Sequence, residues 1–444
     1  MRAAVFAIFI LLTWQIGAAD ALVITRSTVT VPESRSGKST SSIELAVVRA
    51  GRSATPTKSA HIILAGGPGD SGVQLVVNLA ERGGLPLFEM FDADVIGIDQ
   101  RGTGASLPSL RVQRPYGLPL DRPGSPKLWL PLMEAASREV AADFERRGIH
   151  LPSYNTNESA DDIEAVRRAL GYERITLWGR SYGSHLALAT LRRHPKSIER
   201  VVLANPEGPD DTLKLPSAVD AVLERRTDIA VVREVLARLQ REPVFVEVAH
   251  PMTGATLRVG IGEFDVQWLT AQALGDSRTA ATVRAAFEEM ANGDFRRIAR
   301  IVVMQRARMG VESAMKQMMD LSSGGTAARR ARVEREAAVS PLGNAINFPL
   351  MSLRDAWGRP DLGDEFRRPV RSSVPVLILA GELDPRTPVE NGRELARHLP
   401  NGKLIVVAGA AHDFNIFAAP EIKALLRDFL RGAKITATSV ELSQ

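Results

Sequence analysis

The chain has 444 residues, of which 45% are hydrophobic and 24% charged, and its formal net charge is +5. This composition is typical of a globular protein, and the length predicts two domains or one domain with a large insertion. The sequence contains no cysteine, which excludes disulfides, thiolate nucleophiles and zinc–thiolate sites. The small net charge and the 5% aromatic content argue against a nucleic-acid partner.

The first 21 residues have the parts of a secretory signal peptide. Arg2 precedes a short apolar run at 3–12, and mostly small residues follow at 17–21. The apolar run is too short to span a bilayer, which needs about 20 residues. An uncleaved membrane anchor is the alternative. We expect a signal peptide at 1–21 and a mature protein that is exported, periplasmic or secreted, without stable membrane insertion.

The next segments predict strands that alternate with helices. Two strand-like segments, 22–33 and 41–50, predict a hairpin. Short apolar runs bounded by turn residues then follow at 61–65, 93–98, 175–178, 201–204, 374–380 and 403–407. Runs of this length suit strands buried on both faces of a parallel sheet. A helical pattern at Ser159–Leu170, with a capping box predicted at Ser159 and Asp162, lies between two of them. The alternation predicts a doubly wound α/β sheet.

A long interval separates the strands at 201–204 and 374–380, far beyond an ordinary connection. Apolar residues recur there at helical spacing, which predicts an inserted helical cap. A cluster of methionines in this interval is interpreted as core filler. The predicted organisation is a signal peptide, a first core segment, a cap and a second core segment, at 1–21, 22–206, 207–370 and 371–444.

The segment Gly179–Gly183 places a lone serine, Ser181, between two glycines. It follows the apolar run at 175–178 and precedes a helix-like stretch. Strand, Gly-x-Ser-x-Gly and helix, in this order, are the context of a nucleophile elbow, which exposes the serine at the carboxyl end of a strand. The glycines let the backbone turn sharply without a Cβ clash. We therefore predict that Ser181 is a nucleophile rather than part of a simple turn.

A serine nucleophile needs a base, and the base needs an acid that orients it. His412 lies just beyond the last predicted strand, at the sheet edge where the catalysts of such folds gather. Asp384 follows the preceding strand and can accept a hydrogen bond from the histidine. Glu382 is its rival, but Asp384 lies further along the loop, before a proline. The chain order Ser181, Asp384, His412 is the order expected of an α/β-hydrolase.

An oxyanion hole requires two backbone N–H groups. The N–H of Tyr182, the residue after the nucleophile, is the first candidate. The glycine-rich loop at 65–69 follows an early strand, and its backbone N–H groups, unobstructed by side chains, are candidates for the second donor. A phosphate loop is the alternative for these glycines, but no Lys-Ser/Thr follows them. The segment Asp99–Gly104 is interpreted as a buried structural turn held by an Arg–Asp pair.

Five segments together point to one family. They are Gly66–Gly69, Asp99–Gly104, Gly179–Gly183, Gly381–Pro388 and the loop of His412. In combination they resemble the α/β-hydrolase serine peptidases of the prolyl iminopeptidase and tripeptidyl aminopeptidase group. The resemblance covers roughly 45–206 and 371–432, and it implies the α/β-hydrolase fold with an inserted helical cap.

The resemblance also implies roles for individual residues. Ser181 is the nucleophile, His412 the base and Asp384 its orienting acid, while Gly67 and Tyr182 supply the oxyanion hole. Prolyl iminopeptidases hold the free amine of the substrate with cap carboxylates, and the insertion here does not align with them.

Two further residues are candidates for substrate binding. Glu207 lies near the entrance of the cap. Arg180 occupies an elbow position that is often small or acidic in the family. Its guanidinium is a candidate partner for a substrate carboxylate or for an acid of the cap.

The predicted function is that of an exported serine hydrolase, an aminopeptidase that releases short N-terminal units from peptides through an acyl-enzyme. A carboxylic-ester hydrolase with the same triad is the alternative. An inert binding protein of the same fold is a third reading. The expected partner is a peptide or ester substrate, not nucleic acid, and no metal or cofactor is expected.

Overall fold

The computed structural model describes residues 7–8, 22–88, 90–91, 93–250, 252–417 and 419–442. The predicted signal peptide, 1–21, lies outside these residues except for positions 7–8, so its cleavage stays a prediction. Within the described ranges, no helix is long and apolar enough to cross a membrane.

The strands of the described residues are β1 (Ala7–Ile8), β2 (Val23–Pro32), β3 (Ser42–Gly51), β4 (Ser59–Leu64), β5 (Asp94–Ile98), β6 (Arg111–Pro115), β7 (Arg174–Ser181), β8 (Ile198–Pro206), β9 (Val244–Ala249), β10 (Thr256–Ile261), β11 (Gly310–Ser313), β12 (Val376–Gly381), β13 (Gly402–Ala408) and β14 (Ser439–Glu441). The α-helices are α1 (Gly72–Phe88), α2 (Pro126–Arg146), α3 (Thr156–Ala169), α4 (Tyr182–Arg193), α5 (Pro216–Arg226), α6 (Ile229–Arg241), α7 (Glu263–Ala273), α8 (Ser277–Ala291), α9 (Arg296–Arg308), α10 (Ala314–Ser323), α11 (Ala327–Ala337), α12 (Gly363–Arg367), α13 (Val389–His398) and α14 (Pro420–Leu430).

One large sheet has the strand order β1-β2-β3-β5-β4-β7-β8-β12-β13-β14. The predicted hairpin of β2 and β3 is antiparallel, and β3 joins β5 in the same way. Every pairing from β5 to β14 is parallel. The prediction of a mostly parallel α/β sheet is therefore confirmed, and the carboxyl ends of β4, β7, β12 and β13 meet at one edge.

Helices cover both faces of this sheet, which explains why its strands are apolar on both sides. On β7, Leu177 packs in the hydrophobic cluster that α3 and α4 also line. Its neighbour Trp178 points to the other face, into the cluster of α1 and α14. Successive side chains of a strand alternate between faces, so a continuous apolar run is required here.

The residues between β8 and β12 pack in two groups. Helices α5 to α9 and the hairpin of β9 and β10 surround a separate hydrophobic cluster. Helix α10 instead packs against α3 of the core, and Met315, Met318 and Met319 are buried in the hydrophobic cluster that α3 and α4 line. Strand β11 also pairs with β6 of the first core segment. The predicted cap is thus helical apart from three short strands. Of the clustered methionines, Met315, Met318 and Met319 are core residues as interpreted, whereas Met304 and Met309 are only partly buried.

The capping box predicted at Ser159 is wrong. Helix α3 begins three residues earlier, where the Asn155 side chain accepts a hydrogen bond from the Glu158 N–H at 3.1 Å. Asp162 therefore does not cap the helix, and its carboxylate accepts two hydrogen bonds of 2.8 Å from Arg101. Arg101 is completely buried, and such a charge is tolerated only when it is paired. The Arg–Asp pair that holds the turn after β5 thus joins it to α3, while Asp99 accepts hydrogen bonds from the backbone N–H groups of Val73, in α1, and Ala105.

Candidate active site

Ser181 stands at a sharp corner between the end of β7 and the start of α4. Its φ is 54° and its ψ is −127°, a conformation that non-glycine residues rarely adopt. Backbone strain of this kind costs on the order of 1–3 kcal/mol and is concentrated at functional sites. The corner turns the serine side chain out of the sheet at its carboxyl edge, as the elbow prediction requires.

The two glycines of the elbow are needed because other backbone passes close to them. A Cβ at Gly179 would lie 2.3 Å from the carbonyl oxygen of Gly183. A Cβ at Gly183 would lie 2.2 Å from the carbonyl oxygen of Leu64, in β4. Neither glycine has a positive φ, so the strained residue of the turn is Ser181 itself.

The structure brings the three predicted triad residues together. The Nε2 atom of His412 lies 3.0 Å from the Oγ atom of Ser181. The Nδ1 atom of His412 lies 2.7 Å from the Oδ2 atom of Asp384. These are hydrogen-bond distances, and the two loops that carry the acid and the base follow β12 and β13. The arrangement allows the histidine to take the serine proton while the carboxylate fixes its tautomer.

Asp384 is held as a carboxylate by its surroundings. It is only 2% exposed. Its Oδ1 atom accepts hydrogen bonds from the backbone N–H groups of Arg386 and Thr387, and Oδ2 accepts one from the Thr387 hydroxyl at 2.6 Å. Burial by itself raises the pKa of Asp384, but the charge of His412 and these hydrogen bonds outweigh it and hold the pKa below its ordinary value.

The rival acid, Glu382, is engaged elsewhere. Its carboxylate accepts a hydrogen bond from the Gly409 N–H at 2.9 Å and forms an exposed ion pair with Arg225. It therefore ties the loop after β12 to the loop that carries His412. The structure places Asp384, not Glu382, at the imidazole.

Arg180 lies beside the base rather than in the substrate cavity. Its guanidinium donates a hydrogen bond of 2.5 Å to the backbone carbonyl of His412. The Asn205 side chain, at the end of β8, donates to the same carbonyl at 2.5 Å. Two donors on one carbonyl restrict the loop that presents the imidazole. This contact explains the arginine of the elbow in terms of position, and its predicted role in substrate binding stays a prediction.

Replacing Arg180 with alanine is expected to lower kcat about tenfold and to leave KM nearly unchanged. A hydrogen bond to a charged donor is worth roughly 1.5 kcal/mol, and its loss loosens the base without removing a substrate contact. Steady-state kinetics on one substrate separate the two constants. Arg174→Ala is the matched control, because Arg174 donates to the Ile198 carbonyl at the far end of β7. A higher KM with unchanged kcat would instead assign Arg180 to the substrate.

The predicted oxyanion donors lie beside the nucleophile. Tyr182 is the first residue of α4, where an N–H group has no acceptor within its own helix. The glycine loop after β4 lies against the elbow, since a Cβ at Gly66 would be 3.6 Å from the Cβ of Ser181. Gly67 and Ser181 line the same cavity. Backbone N–H groups so placed can stabilise negative charge on a substrate oxygen.

The cavity above Ser181 has a volume of about 510 Å³. Glu207 lines it, as predicted, but the Glu207 carboxylate pairs with the Lys214 ammonium at 2.7 Å. Burial alone raises the pKa of Glu207, whereas the charge of Lys214 lowers it and prevails. Because that carboxylate already has a cationic partner, its role in substrate binding stays a prediction.

Asp320, on α10, is another carboxylate in this cavity, and no sequence pattern pointed to it. Within the described residues, its side chain forms neither a hydrogen bond nor an ion pair. Burial raises the pKa of Asp320 to about 7, although Lys316 nearby lowers it. A perturbed, unpaired acid in a cavity is typical of a functional site. Its sequence neighbours are methionines and serines, which carry no signal for a binding residue.

Two family models match parts of this chain. A model described as alpha/beta hydrolase fold matches residues 62–230, and one described as TAP-like protein matches 353–441. The tripeptidyl aminopeptidase of Streptomyces lividans is 30% identical over 183 residues, which cover 39% of this chain and 34% of that protein. The serine protease Hip1 of Mycobacterium tuberculosis is 25% identical over 151 residues, which cover 32% and 28%.

Among solved structures, a proline iminopeptidase from Mycobacterium smegmatis is 19% identical and aligns with a TM-score of 0.40, covering 91% of this chain and 98% of that one. The alignments with the curated relatives span about a third of their length.

Proposed function

The chain is an α/β hydrolase with a TAP-like C-terminal region, and from this premise we propose that it is an exported serine aminopeptidase that removes short N-terminal units from peptides. The unpaired carboxylate of Asp320 in the cavity of Ser181 is the observation that favours this activity over ester hydrolysis. A peptide ammonium supplies the missing counter-charge, whereas a neutral acyl chain would leave the carboxylate buried and unpaired.

In the proposed mechanism, His412 takes the hydroxyl proton of Ser181 as the oxygen attacks the scissile carbonyl. The N–H groups of Tyr182 and Gly67 stabilise the oxyanion of the tetrahedral intermediate. His412 then gives its proton to the leaving amine, and an acyl-enzyme remains on Ser181. Water, activated by the same histidine, releases the N-terminal unit. Asp384 keeps the imidazole in the correct tautomer through both steps.

Asp320 would set the position of the cut. An ammonium bound at the Asp320 carboxylate fixes the amino end of the substrate relative to Ser181. The unit released is then the stretch of peptide from that amino end to the carbonyl attacked by Ser181. The 510 Å³ of the cavity lies within the range of pockets that hold small molecules and short peptides.

Export is proposed from the signal-like segment 1–21, and fractionation of cells that express the full chain tests it.

A substrate panel tests the proposed activity. Free aminoacyl and tripeptidyl amides, their N-acetylated counterparts and simple esters are to be compared at equal concentration. We expect free-amine peptides to be preferred about tenfold or more over the N-acetylated ones, since a desolvated ion pair is lost. Equal cleavage of free and acetylated peptides would remove the aminopeptidase assignment. Cleavage of esters alone would favour the carboxylic-ester hydrolase.

Replacing Asp320 with asparagine is expected to remove this preference and its pH dependence. In the native protein Asp320 becomes charged as the pH rises through about 7. Selectivity for the free amine should therefore fall below pH 7, and fall again above about 8, where a peptide amine loses its proton. The ratio of kcat/KM for the free and acetylated substrates is the measurement, because both substrates use the same catalytic residues.

Glu312→Gln is the matched control for this variant. Glu312 is another carboxylate of the same cavity without an ion pair in the described structure, but it is exposed. Its replacement should leave the ratio unchanged. A ratio that survives in Asp320→Asn, or that disappears equally in Glu312→Gln, would show that Asp320 does not bind the amine.

A further inference from the structure

A second cavity of about 640 Å³ continues the cleft beyond the oxyanion loop. The cavity of Ser181 and this one share Gly67, Arg308, Gly310, Glu312 and Lys316 in their walls. The Gly67 loop thus lies between two adjoining cavities. A substrate whose carbonyl oxygen points to this loop can extend into both.

The second cavity has an excess of unpaired positive charge. Arg111, Arg308 and Lys316 line it, and in the described residues none of their side chains forms a hydrogen bond or an ion pair. Arg114 also lines it but is paired with Glu139 of α2 at 2.6 Å. Two exposed carboxylates, Asp70 and Glu312, complete the charged lining. Three unpaired cations therefore face two unpaired acids.

Two of these cations, Arg308 and Lys316, also line the cavity that contains Asp320. Lys316 and Asp320 lie four residues apart on α10, a spacing that puts them on one face of the helix. They form no ion pair in the described structure. Lys316 instead lies beside the oxyanion loop, since a Cβ atom added at Gly69 would be 3.9 Å from the Cβ atom of Lys316. The cleft thus carries negative charge at Asp320 and positive charge at the boundary with the second cavity.

We propose that the second cavity is the leaving-group subsite and that Arg308 and Lys316 bind the C-terminal carboxylate of a short peptide. This proposal rests on the proposed function, because it takes Asp320 as the site of the ammonium. The charge order of the cleft then matches a peptide with both ends free, bound across Ser181. Guanidinium and ammonium groups bind carboxylates through charge-assisted hydrogen bonds. The enzyme would therefore favour short oligopeptides over long chains or internal segments.

A single carboxylate suits this cavity better than a phosphate group. Asp70 and Glu312 lie in the same lining, and a dianion would be repelled by both of them. A carboxylate carries one negative charge, which one or two of the cations can neutralise. The leaving peptide is consequently expected to end in a free carboxylate close to the scissile bond.

The test compares one tetrapeptide as its free acid and as its C-terminal amide, both with a free amino end. We expect the native protein to cleave the acid at least about tenfold more efficiently in kcat/KM. In the double variant Arg308→Met, Lys316→Met this ratio should approach one, because cleavage of the acid falls to the level of the amide. Arg114→Met, which changes a paired arginine of the same cavity, should keep the native ratio.

Each contrary result has a distinct meaning. Equal cleavage of acid and amide by the native protein, or a ratio retained in the double variant, would overturn the proposal. Faster cleavage of a tetrapeptide that ends in phosphoserine amide would overturn it in favour of a phosphate subsite. An aminoacyl anilide, which has no carboxylate on the leaving side, reports separately on the proposed function. Failure to cleave it and both peptides would refute the aminopeptidase activity, and this inference with it.

Discussion

Replacing Ser181 with alanine is expected to lower kcat by about 10⁵- to 10⁶-fold, the effect of removing the nucleophile from a cooperating triad. The Oγ atom of Ser181 lies 3.0 Å from the Nε2 atom of His412, and the Nδ1 atom of the same imidazole contacts Asp384. Labelling by a fluorophosphonate probe should be lost together with activity on every substrate. Both are to be measured on protein whose circular dichroism matches that of the native chain.

Two further variants sharpen this test. Ser53→Ala changes an exposed loop serine and should preserve both activity and labelling. Ser181→Gly should be as inactive as Ser181→Ala but more stable than it by about 1 kcal/mol, because glycine accepts the φ of 54° without strain. Undiminished hydrolysis by Ser181→Ala would end the assignment of a serine nucleophile, and equal stability of the two variants would show that the elbow stores no strain.

Replacing Asp384 with asparagine is expected to lower kcat about 10⁴-fold, since an amide cannot accept from the His412 Nδ1–H as the carboxylate does and favours the wrong tautomer. The carboxylate contacts Nδ1 at 2.7 Å and its pKa is held below the ordinary value. It therefore stays charged through the neutral range. The kinetics of native and variant protein between about pH 5 and 9 provide the measurement.

Glu382→Gln is the matched control for the acid. It removes a carboxylate two residues away that contacts the Gly409 N–H and Arg225 but not the imidazole. We expect a change of no more than a few-fold, because exposed ion pairs contribute little. If Glu382→Gln were the more damaging substitution, the orienting acid would have to be reassigned.

Local sequence patterns predicted the sheet and the three residues at its edge. Buried parallel strands need continuous apolar runs, and the runs at β4, β5, β7, β8, β12 and β13 are visible in the sequence without any knowledge of packing. The elbow is equally local, because close backbone approaches at Gly179 and Gly183 admit no side chain. His412 and Asp384 follow from the rule that parallel strands end at one edge.

The partners of several polar side chains were not predicted. Asn155 caps α3 in place of Ser159, and Asp162 pairs with Arg101, a partner 61 residues away in the chain. Arg180 was interpreted from its place in the motif, yet its partner is a carbonyl 232 residues further along. The hairpin of β9 and β10 was absent from the predicted cap.

The sequence by itself determined the fold class and the triad, since both depend on spacing within single elements and on strand ends that any parallel sheet brings together. Only the tertiary structure decided what surrounds the triad. Helix α10 packs against α3 and buries its methionines in the same cluster, and this packing directs Asp320 into the cavity and Lys316 to the oxyanion loop. A side chain's electrostatic environment depends on which elements pack against it, and residues distant in the sequence supply those elements.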